Sequence, residues 1–220
     1  MNVLIFAPHP DDEVLGVGGT IAKRAADGDN VTVCVVTRGY PPRYDADFIE
    51  KSVEEAKKAH KLLGVQNTIW NNFPTLELDD GKLHKIIEVF GQAIDKVNPD
   101  EIFIPHHGDM HLEHRLVSEA AMVALRPKNF FKPHRILAYE TMSETHWNIP
   151  SAHNDFSPNV YEDITHTLSK KMEALRTFTT QIEEFPAARS TAAVEALAKV
   201  RGAVANVSAA EAFMLIREVR

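Results

Sequence analysis

Val3-Leu4-Ile5-Phe6-Ala7-Pro8-His9-Pro10-Asp11-Asp12-Glu13 stands near the start of the chain, and its reading decides the fold. Val3 to Phe6 reads as a buried strand, and the run from Val14 onward reads as a helix. Between them one histidine and three acids occupy a tight turn at the carboxyl end of a strand, where α/β sheets present their chemistry. Acids crowded together cost stability unless a proton or a cation sits among them, so a metal site is the first reading. The simpler alternative makes Asp11 or Asp12 a helix N-cap with Glu13 in the first turn. Capping does not require a flanking histidine, two prolines and two adjacent aspartates together.

A second cluster strengthens the metal reading. The apolar run Glu101-Ile102-Phe103-Ile104 is strand-like and leads into Pro105-His106-His107-Gly108-Asp109-Met110-His111-Leu112-Glu113-His114. If the two strands are parallel neighbours, both clusters meet at one edge of the sheet, where ligands bind in open α/β folds. A helix over Glu113–Leu125, starting near Leu112, places His111 and His114 on one side of its first turn.

The remaining pattern alternates strand and helix. Strands are expected at Asn2–Phe6, Val31–Thr37, Thr68–Trp70, Glu101–Ile104, Arg135–Tyr139 and Val160–Ile164. Helices are expected at Glu13–Ala26, Phe48–Leu63 (ending at Gly64, a good residue after a helix), Leu83–Val97, Glu113–Leu125, Thr165–Phe178 and Thr191–Val200. Ala209–Arg217 is left undecided. The stretch from Glu140 to Pro158, rich in His, Asn, Ser and Pro, reads as a long functional loop. No repeat or linker divides the chain. The expectation is one α/β domain over residues 1–220, Rossmann-like and doubly wound, with a mostly parallel sheet and helices on both faces.

Composition narrows the function classes. The 220 residues carry a formal net charge of -7 with no basic run, which argues against nucleic acid as partner. No apolar stretch approaches the ~20 residues of a membrane span. The chain opens on a strand rather than a cleavable leader, and the lone Cys34 lies in an apolar run, so a cytoplasmic location is expected. A homo-oligomer is compatible with the sequence. Gly16, Gly18 and Gly19 suggest a dinucleotide fingerprint, but they fall inside the helix, and the turn itself carries acids that would repel phosphate. Their expected role is close packing of that helix, or room beside the metal.

Together the two clusters resemble the PIG-L/LmbE-like zinc-dependent N-acetylglucosamine deacetylases. His9-Pro10-Asp11-Asp12-Glu13 is similar to that family's (A/P)HPDDE motif, and His111-Leu112-Glu113-His114 to its HPDH or HxDH motif. The similarity extends to Thr37-Arg38-Gly39, to Glu55 and Ala59 ahead of Leu63-Gly64-Val65, to Tyr139-Glu140, to Arg201-Gly202 and to Ala210-Glu211-Ala212-Phe213. The resemblance implies that His9, Asp12 and His114 ligate zinc, that Asp11 is the general base, and that His111 polarises the amide carbonyl and stabilises the oxyanion. Leu112-Glu113 departs from the family's Pro-Asp but keeps an acid, one methylene longer, to orient His111. Ser52 stands near the place of a family arginine, which leaves Lys51, Arg43 or Arg38 to face the substrate; Arg38 is taken as substrate-binding.

The chemistry is coherent on its own terms. Two histidines and one carboxylate leave a coordination position open, as in catalytic rather than structural zinc sites. Fe2+ suits the same donors. Asp11, adjacent to a ligand, can take a proton from attacking water. The expected reaction hydrolyses the amide of an N-acetylated amino sugar or its conjugate. Asp109 either touches a sugar hydroxyl or holds a histidine. His106 and His107 either hold ligand geometry or are ordinary loop residues, and His146, His153 and Trp147 either touch sugar or simply cover the loop. The rival readings are a metal-dependent phosphoester hydrolase and a catalytically silent sugar- or metal-binding module.

Overall fold

Strands and helices alternate along the chain much as the apolar pattern predicts. The computed structural model describes residues 1–78, 80–127 and 133–220. The strands are β1 (Asn2–Ala7), β2 (Asn30–Arg38), β3 (Asn67–Pro74), β4 (Glu101–Pro105), β5 (Arg135–Tyr139), β6 (Val160–Asp163) and β7 (Ala210–Glu218). The helices are α1 (Asp12–Ala26), α2 (Ala46–Leu63), α3 (Leu83–Val97), α4 (Leu112–Ala124), α5 (Met142–Thr145), α6 (Leu168–Leu175) and α7 (Thr191–Ala205).

All seven strands form one sheet, ordered β3-β2-β1-β4-β5-β7-β6. Neighbours from β3 through β5 are parallel, while β7 runs antiparallel to both β5 and β6. Val3, Ile5, Ala7, Val31, Val33 and Val35 pack on the side of α1, α2 and α6. Leu4, Phe6, Cys34 and Val36 pack on the opposite side, under α3 and α4. Burial on both faces is why these strands read as continuous apolar runs. The winding reverses between β1 and β4, which pair directly. Both histidine clusters leave the sheet at the carboxyl ends of these two strands, so the switch point of the fold is where the site assembles.

Local chemistry fixes the element ends. The Asp45 carboxylate accepts the Phe48 N–H at 2.7 Å and caps α2, which ends at Gly64 in the left-handed conformation, φ 83°. At α1 the N-cap residue is Asp11, yet its side chain makes no capping hydrogen bond. Asp12 instead accepts the N–H of His9, behind it, at 2.9 Å. The capping alternative therefore does not explain this pair of aspartates. Gly16 has a packing role: a Cβ there would run into the Tyr139 ring and lie 2.8 Å from the Glu140 carbonyl oxygen.

The C-terminal third departs most from expectation. The undecided Ala209–Arg217 stretch is strand β7, slotted between β5 and β6; a short apolar run cannot be told from a helix by periodicity alone. The helix expected over Thr165–Phe178 is only α6, flanked by turns, and the 140–158 loop holds the short α5. No helix among the described residues is long and apolar enough to cross a membrane.

Candidate metal centre and active site

The turn after β1 and the first turn of α4 bring His9, Asp12 and His114 together. His9 Nδ1 lies 3.0 Å from Asp12 Oδ2, and His114 Nε2 lies 3.2 Å from the same oxygen. One donor atom from each residue falls within 4.8 Å of the others. Asp12 and His114 are completely buried and His9 is partly exposed.

Each histidine is anchored through its other nitrogen. His114 Nδ1 pairs with Asp109 Oδ2 at 2.8 Å, and the other Asp109 oxygen accepts the Thr145 hydroxyl at 2.6 Å. His9 Nε2 pairs with Glu113 Oε2 at 2.7 Å. A carboxylate behind a histidine fixes the ring and makes its far nitrogen a better metal donor. That leaves His9 Nδ1 and His114 Nε2 facing Asp12. Two buried atoms here, Asp12 Oδ1 and His114 Nε2, have no hydrogen-bond partner among the described residues. Buried orphans are rare and costly, and these two belong to one cluster. The donor set fits a divalent metal with an open position.

The electrostatics agree. Burial works against protonating His9, yet Asp12 and Glu113 raise its pKa to about 9. Burial opposes the charge on His114 as well, and Asp12 and Asp109 still raise it to about 10. The pocket demands positive charge, which a proton or a metal ion supplies.

Asp11 sits beside this centre, buried, with Oδ2 accepting from Arg189 Nη1 at 3.0 Å. Burial lifts its pKa to about 6, against the pull of the Arg189 guanidinium. Arg189 also donates to Ser143, Gln181 and Glu144, tying Asp11 to α5 and to the segment before α7. Nothing local in the sequence marks this arginine; it lies 178 positions from its partner.

His111 is neutral: burial, then the neighbouring His9 and His114, lower its pKa to about 4. Its Nδ1 accepts the Glu113 N–H at 3.2 Å, so the ring proton sits on Nε2. His9, Asp11, His111 and Arg189 line a cavity of about 220 Å3, with Tyr44, Phe48, Ser52, Leu76 and Gln181 elsewhere on its wall.

Several residues stand elsewhere than the sequence suggested. The Glu113 carboxylate holds His9, not His111, because its extra methylene carries it across to the other ring. Of the two roles the sequence allowed Asp109, the structure shows the second: fully buried with both oxygens engaged, it holds His114. Arg38 is exposed and lines a neighbouring cavity of about 400 Å3, with Tyr40, Pro41 and Ile49; among the described residues Arg189 is the cation that lines the cavity beside the candidate metal centre. Glu13 points away and pairs with buried His60 at 2.8 Å. His106 and His107 pair with the Asn154 and His153 carbonyls and so pin the 140–158 loop. Trp147, 78% exposed, covers nothing.

The fold and this cluster define a class: an α/β protein with a three-residue candidate metal centre at the switch point of its sheet. The family model described as PIG-L, GlcNAc-PI de-N-acetylase, matches residues 4–125. The chain belongs to this family, and it is an enzyme of the amidohydrolase type. Over 182 residues it is 32% identical to an uncharacterized deacetylase, YaiS, of Escherichia coli (strain K12), covering 80% of this chain and 89% of that one. It is 27% identical over 200 residues to the diacetylchitobiose deacetylase of Thermococcus kodakarensis, covering 83% and 71%. The conserved protein TT1542 of Thermus thermophilus superposes with a TM-score of 0.80 at 24% identity, over 100% of this chain and 96% of that one.

Proposed function

We propose that the chain is a zinc-dependent deacetylase that removes the N-acetyl group from an N-acetylglucosamine-type amino sugar or its conjugate. The carrying observation is the buried cluster in which Asp12 Oδ1 has no hydrogen-bond partner and His114 Nε2 meets only Asp12 Oδ2, at 3.2 Å and outside hydrogen-bond geometry, beside an Asp11 whose side chain caps no helix. The names of the similar deacetylases support the substrate class.

Zinc held by His9, Asp12 and His114 would supply a Lewis acid that acidifies water and polarises the amide carbonyl. The protein's own groups carry the protons. Asp11, kept ionised and aimed by Arg189, accepts a proton from the attacking water. His111 donates its Nε2–H to the amide oxygen as negative charge develops there, and a preorganised donor of this kind favours the transition state over the ground state. When the C–N bond breaks, the proton on Asp11 passes to the leaving amine. Acetate and the free amino sugar result. Fe2+ fits the same donors. Tyr44 and Phe48, stacked 5.3 Å apart, offer an apolar wall for a sugar ring.

The phosphoester reading gains nothing here, since two-metal hydrolysis requires two ligand sets. Among the described residues the second candidate group, His9, His111 and Glu113, shares His9 with the first. Acetate release from N-acetylglucosamine and diacetylchitobiose by zinc-loaded protein, beside an Asp11→Asn variant, is the test. Release by the parent and a loss of about a hundredfold or more in the variant support the reading; equal rates would remove Asp11 as base.

A further inference from the structure

The β3–α3 loop carries a bulky residue in a backbone conformation that suits glycine. Leu76 has φ 66°, although a leucine is strained in the left-handed region. Such strain persists only where the surroundings over-determine it, and it gathers at functional sites. Here the surroundings are visible. The Leu76 N–H donates to Glu113 Oε1 at 2.7 Å, and the Leu78 N–H lies 3.4 Å from the same oxygen. The other Glu113 oxygen holds the metal-site residue His9. On the near side the loop is tied by the Thr75 N–H to the Arg38 carbonyl at 3.1 Å, and by the Tyr40 hydroxyl to Glu77. On the far side Leu78 is buried against the α3 face of the core.

The result is an isobutyl group, 42% exposed, on the wall of the cavity that also contains His9, Asp11 and His111. A solvent-facing leucine in a strained backbone gains little for folding. Tyr44 and Phe48 stand on the same cavity.

We infer that Glu113 is a clamp and Leu76 a specificity-determining residue. Glu113 couples the β3–α3 loop to His9, and this seats Leu76 as one side of an apolar collar, with Tyr44 and Phe48, above a polar floor. The ligand it selects is a single N-acetylated hexosamine residue, whose apolar C–H face packs on the collar while its acetamide reaches Asp11 and His111. The cavity of about 220 Å3 is small for a ligand site and has room for one sugar unit. The substrate part of this inference rests on the deacetylase reading; the clamp does not. Glu113 does this because it is a glutamate: an aspartate, one methylene shorter, cannot reach the loop amides and His9 together.

The test has two arms. In zinc-loaded protein, hydrogen exchange at the Leu76 amide is slow; it becomes at least about tenfold faster in Glu113→Asp and rises less in Glu113→Gln, whose single oxygen cannot serve the Leu76 amide and His9 together. In the second arm Leu76→Gly, which the backbone accommodates without strain, raises KM for N-acetylglucosamine about fivefold or more, with kcat within about twofold and zinc content unchanged. A Leu76 amide that exchanges equally fast in the parent and in Glu113→Asp overturns the clamp, and an unchanged KM overturns the specificity role. A parent protein that releases no acetate defeats the deacetylase reading instead, and the exchange arm still judges the clamp.

Discussion

Asp109 and His114 are joined by a 2.8 Å contact between Oδ2 and Nδ1, wholly out of solvent. This contact turns the free Nε2 of His114 toward Asp12 and selects the tautomer able to bind a metal. Asp109 is in turn held by the Thr145 hydroxyl of α5, so the 140–158 segment supports the candidate metal centre from behind.

Removing that support weakens the metal without deleting a ligand. Asp109→Ala is expected to lower zinc affinity about ten- to a hundredfold. Competition with a chromogenic chelator reads this directly, and unchanged affinity would show that His114 needs no orienting partner.

Arg189 aims Asp11. Arg189→Ala should lower kcat/KM about ten- to a hundredfold while zinc content stays the same, because a misplaced base loses rate and not metal. Arg189→Lys should recover only part, since a single ammonium cannot reproduce the forked contacts to Asp11, Gln181, Ser143 and Glu144. Metal loss in either variant would instead assign Arg189 to the integrity of the site.

Glu140 supplies a pH dependence away from the metal. Burial alone would raise its pKa, but His146 and Arg201 lower it below the ordinary 4.5. A depressed folded-state pKa contributes stability above about pH 4.5, lost as pH falls through the folded value. Glu140→Gln should therefore cost about 1.5–3 kcal/mol at pH 7, by removing the charge and one acceptor from the paired contacts to Arg201 at 2.8 and 2.7 Å. Urea denaturation of both proteins at about pH 7 and about pH 3.5 should show the gap narrowing in acid; a constant gap would mean Glu140 titrates normally.

Gly16 tests the packing of α1 beneath the site. Gly16→Ala forces a methyl against Tyr139 and the Glu140 carbonyl and should destabilise by about 1–3 kcal/mol. A variant as stable as the parent would show that β5 can yield here.

Much of this was legible in the sequence because the information is local. The apolar run of β1 ends in a turn crowded with acids and a histidine, and β4 leads into a second such cluster. Since β1 and β4 pair, His9, Asp12 and His114 meet as their order along the chain suggested. What escaped the reading depends on tertiary reach. Arg189 comes from a Pro-Ala turn far along the chain. The longer arm of Glu113 lands on His9 rather than His111, and only the folded chain shows that difference. Leu76 looks like an ordinary loop residue until its φ is known. Strand β7 is an antiparallel addition to a parallel sheet, and an apolar run gives no sign of direction.

The most direct test of the central claim is metal stoichiometry by elemental analysis, on the parent protein and His114→Ala purified without chelator. One zinc or iron per chain in the parent, and its loss in the folded variant, is the predicted result. A parent that takes up no metal at neutral pH, or a variant that retains it fully, would contradict the site described.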